Sequence, residues 1–191
     1  MGPLRGSTSA PALDSHRAGP QTATPRCNCG FAVGQDHGKG GLKGYDAGKR
    51  VNGRKRHILV DVLGLVLCVV VHPANIQDRD GARLLLQRLG RRFPKLKLLV
   101  ADGAYAGELE HYVRTALPGQ PLRLQIVKRS DRQAGFVVQP WRWVVERTFG
   151  WLGRYRRLSK DYEQRPQSSE AMILLAMIHL MSRRLAQGGA F

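Results

Sequence analysis

The sequence predicts a mixed α/β fold, a sheet with helices on both of its faces. Three observations predict it: two β-branched apolar runs hinged at Leu63-Gly64, an alternation of helical and strand patterns from Asp78 to Lys128, and two helices that close the chain. The 191 residues are enough for one domain with a real core. The expected organisation is a tail at 1–9, a domain at 10–186 with a Gly-rich irregular insertion at about 15–54, and a tail at 187–191.

Residues 1–54 are rich in Gly, Pro and Ser, and the repeated glycines of Gly34–Gly48 argue against a stable helix. One short strand is read there, Ala10–Asp14. From Arg56 the pattern becomes apolar and β-branched, which predicts a hairpin with strands near 56–62 and 65–72, covered on both faces. Asp78-Arg-Asp-Gly then opens a helix whose Ala82, Leu85, Leu86 and Leu89 share one face, and Pro94 closes it. Lys97–Ala101 reads as a buried strand ended by Asp102-Gly103. A second helix follows at 106–115 and ends before Pro118-Gly119, and 122–128 alternates as a strand. Pro140 begins a helix that holds Trp143, Val144, Arg147, Phe149 and Trp151. The last helix spans 168–186, with Ser168 or Ser169 as its cap and Arg183-Arg184 near its carboxyl end.

Lys and Arg number 31 against 14 Asp and Glu, a formal charge of +17 that calls for a polyanionic partner. Of the basic residues 23 are Arg, which favours bidentate phosphate contacts over mere solubility. The longest apolar runs, Val62–Val71 and Ala171–Leu180, are about half of the roughly 20 residues a membrane helix needs, so no membrane partner and a cytoplasmic location are expected. Cys27 and Cys29 form a C-x-C pair without a second pair, which reads as an ordinary reduced loop rather than a zinc site.

Acids are scarce in this chain, so those at the ends of apolar strands stand out. Asp14 ends the first expected strand, Asp102 ends the fourth, and Glu146 lies in the helix after the fifth; ligands of open α/β sheets gather at the carboxyl ends of strands. Three carboxylates converging in a basic surround suit magnesium, which takes oxygen ligands and keeps substrate phosphate oxygens in its shell. Each has a structural alternative: a turn before Gly103, a cap at Asp14-Ser15, an ion pair between Glu146 and Arg142. Asp61, Asp46, Asp78 and Asp80 rank lower because they fall in turns or helix starts. Basic clusters flank these segments: Lys49-Arg50, Arg54-Lys55-Arg56, Lys128-Arg129, Arg142, and Arg154 with Arg156 and Arg157. Trp141, Trp143 and Trp151 can stack on unpaired bases, but the spacing of Trp143 and Trp151 favours core packing.

Four motifs follow one another in order: the run Gly44–Leu65, Ala74-Asn-Ile-Gln-Asp-Arg-Asp-Gly-Ala, Ala101-Asp-Gly-Ala-Tyr-Ala-Gly, and Arg142-Trp-Val-Val-Glu-Arg-Thr-Phe-Gly-Trp-Leu. In them the chain resembles bacterial insertion-sequence transposases of the insertion sequence five family, over about residues 10–185. The resemblance implies a DDE catalytic domain of ribonuclease H-like fold, with Asp14, Asp102 and Glu146 holding two magnesium or manganese ions for DNA strand cleavage and strand transfer. Arg142 matches the basic residue four before the glutamate. Gln139 and Gly153 stand where the related Tyr-Arg-Glu-Lys signature has its Tyr and Lys, leaving Arg154 as the nearest substitute for the end-phosphate contact. The implied partners are element ends and target duplex, a second copy of the chain on DNA, and an upstream reading-frame product carrying a DNA-binding module. The implied location is the bacterial nucleoid. A noncatalytic basic nucleic-acid-binding remnant is the alternative.

Overall fold

The computed structural model describes residues 26–35, 41–90, 92–105, 107–116, 122–127 and 142–188. Its strands are β1 (Arg26–Gln35), β2 (Gly44–Asp46), β3 (Val51–Asp61), β4 (Val66–Pro73), β5 (Leu98–Asp102) and β6 (Arg123–Val127). The helices are α1 (Asp78–Leu89), α2 (Glu108–Ala116), α3 (Arg142–Gly153) and α4 (Pro166–Ala186). The strands form one mixed sheet in the order β2-β3-β1-β5-β6. β1 runs antiparallel to β3 and parallel to β5, and β5 runs parallel to β6. β2 and β4 share the outer edge of β3, β2 pairing at 51–53 and β4 at 54–60.

The hairpin is formed as its pattern predicts. Asp61 Oδ1 accepts from the backbone N–H of both Leu63 and Leu65 at 2.9 Å, and Gly64 takes φ +84°, a left-handed conformation that side chains resist. Asp61 is therefore the organiser of a turn. Residues 26–35 and 44–46, expected to be irregular, are strands; the apolar and β-branched content that marks 56–72 is thin in Arg26–Gln35, and pairing on both edges supplies what local propensity does not. Cys27 and Cys29 accordingly lie in a strand and not in a loop. The expected strand at Ala10–Asp14 lies outside the described residues.

Strand alternation divides the core into two layers. On one face Leu59, Cys68, Val70, Leu99 and Ala101 pack with Leu85, Leu86 and Leu89 of α1 and with Leu109 and Val113 of α2. On the other, Ile58, Val60, Val69 and Val71 pack with Val144, Val145 and Leu152 of α3 and Ile173 and Ala176 of α4. Gly81 lets α1 approach the sheet closely, since a Cβ there would lie 2.4 Å from His57 Nε2 and 2.5 Å from His72 Nε2. α4 starts at Pro166, where the missing N–H costs nothing. Ser168 and Ser169, read as caps, lie inside the helix, and Ser169 is buried.

Candidate active site and nucleic-acid surface

Asp102 is the last residue of β5 and is half-buried. Its strand neighbours Leu99 and Ala101 belong to the layer beneath α1 and α2. By alternation Val100 and Asp102 point to the opposite face, the side of α3 and α4. α3 packs on that face against β1, and Glu146 is exposed on it. Two bonds tie the helix to the hairpin turn: Thr148 Oγ1 donates to the Gly64 carbonyl and Arg147 Nη2 to that of Leu63, each at 2.9 Å. The fold thus puts Asp102 and Glu146 on one side of the sheet. Asp14, the third carboxylate read from the sequence, lies outside the described residues. Among the described residues no group of three or more His, Cys, Asp and Glu side chains could hold a metal ion.

The lower-ranked acids have structural work. Asp46 accepts from the N–H of Gly48 at 2.9 Å and Lys49 at 3.1 Å, and pairs with Lys55 at 3.4 Å. Asp78 lies 2.8 Å from the same ammonium, and Asp80 is 3.8 Å from Arg83.

Arg54, Lys55 and Arg56 overturn the sequence reading of a phosphate-binding cluster. Arg54 is 1% exposed; its Nε donates to Asp161 Oδ2 at 2.7 Å and its Nη atoms donate to the carbonyls of Gln164 and Glu163. Lys55 is buried on the opposite face, donating to Asp78 and to the Ile76 carbonyl at 2.8 Å. Arg56 Nη1 and Nη2 donate to the carbonyls of Leu158 and Lys160, both at 2.8 Å, and burial lowers its pKa. A run of charge inside a central strand must be satisfied internally, because both faces of that strand are covered. These three residues fasten the 158–164 segment and α1 to the sheet.

Lys49 and Arg50, in the turn between β2 and β3, are exposed, as are Arg154, Arg156 and Arg157 after α3. Arg157 is held by Glu163 at 2.7 Å. Lys128 and Arg129 lie outside the described residues, and Arg142 opens α3. Trp143 is 43% exposed and so is no core residue. The Arg147 guanidinium sits 4.2 Å from the Trp143 ring centre and 4.6 Å from that of Trp151, with Arg184 stacked on Trp151 at 4.3 Å. Spacing of four residues between 143, 147 and 151 was the signal for this ladder. Trp141 lies outside the described residues.

Sequence reasoning missed a buried polar cluster on the face of α1. The rings of His57 and His72 stack at 4.7 Å, and Tyr105 Oη lies 3.4 Å from His57 Nδ1. Burial, then the neighbouring His72 and Lys55, pushes the His57 pKa well down; burial also lowers that of His72. The hairpin pattern pairs the two strands, but the register that stacks His57 on His72 and the approach of Tyr105 from beyond β5 are not local signals.

Comparison with known families decides the identity. The model of the transposase DDE domain matches residues 15–181. The chain belongs to this family. A curated relative from Burkholderia cepacia, named "Putative transposase for insertion sequence element IS402", is 30% identical over 130 residues, which cover 64% of this chain and 60% of that protein. The chain thus spans less than two thirds of the length of the relative it matches. The transposase domain's mixed sheet with helices on both faces agrees with a ribonuclease H-like fold. Transposases act on DNA, and DDE domains use divalent metal ions. Among the described residues no helix is long and apolar enough to cross a membrane.

Proposed function

We propose that this transposase domain, within the insertion sequence five family, engages element ends and target duplex on the face that carries Asp102 and Glu146, and that this face belongs to strand cleavage and strand transfer. The observation that carries the reading is the placement of both acids on one side of the sheet, Asp102 at a strand's carboxyl end and Glu146 on the helix packed over β1. The reaction that fits is hydrolysis of a phosphodiester: water oxygen joins phosphorus, the bond to O3′ breaks, and the water's proton ends on O3′. In transfer, that hydroxyl takes the place of water. Divalent ions supply the stabilisation of entering and leaving oxygens in such chemistry. In this reading Asp14 joins Asp102 and Glu146 as a ligand to two magnesium or manganese ions. Lys49, Arg50, Arg142, Arg154, Arg156 and Arg157, with Lys128 and Arg129, bind phosphates. A second copy of the chain and an upstream DNA-binding module complete the assembly on the nucleoid, in the cytoplasm.

A second reading is favoured by a specific observation. β1 borders the strand of Asp102, and its sequence Arg26-Cys-Asn-Cys-Gly-Phe-Ala-Val-Gly-Gln has no carboxylate. The chain then binds DNA without cutting it. A labelled duplex incubated with magnesium, calcium or chelator separates the two: metal-dependent nicking supports the first, retention of the intact duplex supports the second, and absence of binding at low salt refutes both.

A further inference from the structure

We propose that the outer face of α4 is where a second copy of this chain docks, the two α4 helices lying antiparallel with Ile178 beside the twofold axis. This names the surface for the second copy in the proposed function and rests on that reading.

α4 is apolar on two opposite sides. Ile173, Ala176 and Met177 are buried, and Ile173 and Ala176 pack on the sheet with Val69 and Val71. A helix turns once in about 3.6 residues, so Ala171, Leu174, Leu175, Ile178 and Leu185 fall on the side facing away from the sheet. They are exposed there, Leu174 by 42%, Leu175 and Ile178 by 57% and Leu185 by 63%. Ala171, Leu174, Ile178, Met181 and Leu185 follow one another at spacings of three and four in alternation, the seam by which two helices pack. The stripe runs about 21 Å along the helix, at about 1.5 Å per residue. A helix that is apolar all round belongs under cover on both sides.

Charge selects the occupant. From Pro166 to Ser182 the helix has no Lys or Arg, in a chain that carries 31 of them and a net charge of +17. Phosphates need cations, so this stretch offers DNA no contact. Two copies of so basic a chain repel one another, and they meet at least cost where neither brings a charge. Arg183 and Arg184 mark the carboxyl end of α4, with Arg184 stacked on Trp151. Antiparallel helices set these arginines beside the cation-free first turns of the other copy, whereas parallel helices would crowd four arginines together. A twofold interface must also fit itself. Ile178 lies midway between Ala171 and Leu185, so the small side chain of one copy meets the large one of the other.

Sedimentation equilibrium of the full chain without DNA tests the proposal. The unsubstituted chain should have twice the mass of a single chain, and the dimer should hold or tighten as salt rises, because salt screens the repulsion between copies and leaves apolar contact in place. Ile178→Glu and Ile178→Lys should each weaken dimerisation about tenfold or more, since like charges then face each other across the axis. An equimolar mixture of the two variants should recover the dimer. Leu84→Glu, at an exposed leucine of α1, should leave it unchanged. Circular dichroism establishes that the variants fold. A monomeric unsubstituted chain, a dimer that neither Ile178 variant weakens, a mixture that stays monomeric, or loss of the dimer in Leu84→Glu overturns the proposal. The monomeric mixture is the outcome expected where another segment of this chain or a different protein covers α4. Should the Ile178 variants not fold, the salt series of the unsubstituted chain still decides, since a dimer that dissociates as salt rises overturns the proposal. Plasmid binding at low salt is measured separately; its failure sinks the DNA reading, while the mass measurement, done without DNA, still reports on α4.

Discussion

Replacing Arg54 by methionine separates a structural arginine from a phosphate contact. Arg54 and Asp161 are each 1% exposed and 2.7 Å apart, and the same guanidinium also donates to the carbonyls of Gln164 and Glu163. Removing one partner of such a pair leaves a charge in a dry site, which costs about 3–5 kcal/mol. Against a total stability of about 5–15 kcal/mol this is a large fraction, and for a domain of this size it lowers the melting temperature by about 6–20 °C. Urea denaturation followed by circular dichroism reads the loss. The double variant Arg54→Met with Asp161→Leu should recover part of it, because the stranded charge is gone. DNA affinity measured across a salt series gives the opposing readout. A residue that neutralises one phosphate contributes about 0.9 to the slope of log K against log salt, whereas Arg54→Met should leave that slope unchanged. A variant with nearly unperturbed stability and a slope reduced by about that amount would refute the structural role assigned to Arg54.

Arg154 and Arg156 are exposed and should behave in the opposite way, their joint replacement by alanine flattening the salt slope by about 1.8 while stability changes little. Stability should fall on mild acidification. His57 and His72 have pKa values lowered by burial, so the unfolded chain takes up protons below about pH 6.5 that the folded chain refuses, and each histidine costs about 1.4 kcal/mol per pH unit from there down to its depressed folded value. Urea midpoints at pH 7.5 and pH 5.5 measure it; equal midpoints would contradict the buried stack. Gly64→Ala should destabilise by about 1–3 kcal/mol, because φ is +84° and the new Cβ would lie 2.7 Å from Thr148 Oγ1, and thermal melting checks it. Asp102→Asn and Glu146→Gln should each abolish metal-dependent nicking of plasmid and leave its binding intact, since in the proposed function each removes a metal ligand and no phosphate contact; a gel assay reads both.

The sequence by itself determined most of the elements from Arg56 onward. β-branched runs, the Asp61 and Gly64 turn, the Leu85, Leu86 and Leu89 stripe and Pro166 are local signals, and local physics places hairpins and helices. The placement of Asp102 at a strand end and of Glu146 on a helix was legible for the same reason. Tertiary structure decided what depends on neighbours distant in the chain. Arg26–Gln35 is a central strand because β3 and β5 bond to its two edges, which its own residues do not announce. Arg54, Lys55 and Arg56 read as a solvated basic cluster, yet they are buried because the sheet is covered on both faces and Asp161, Asp78 and backbone carbonyls meet them there. A charge motif records which groups are present; the register and the covering layers decide whether those groups face DNA or one another.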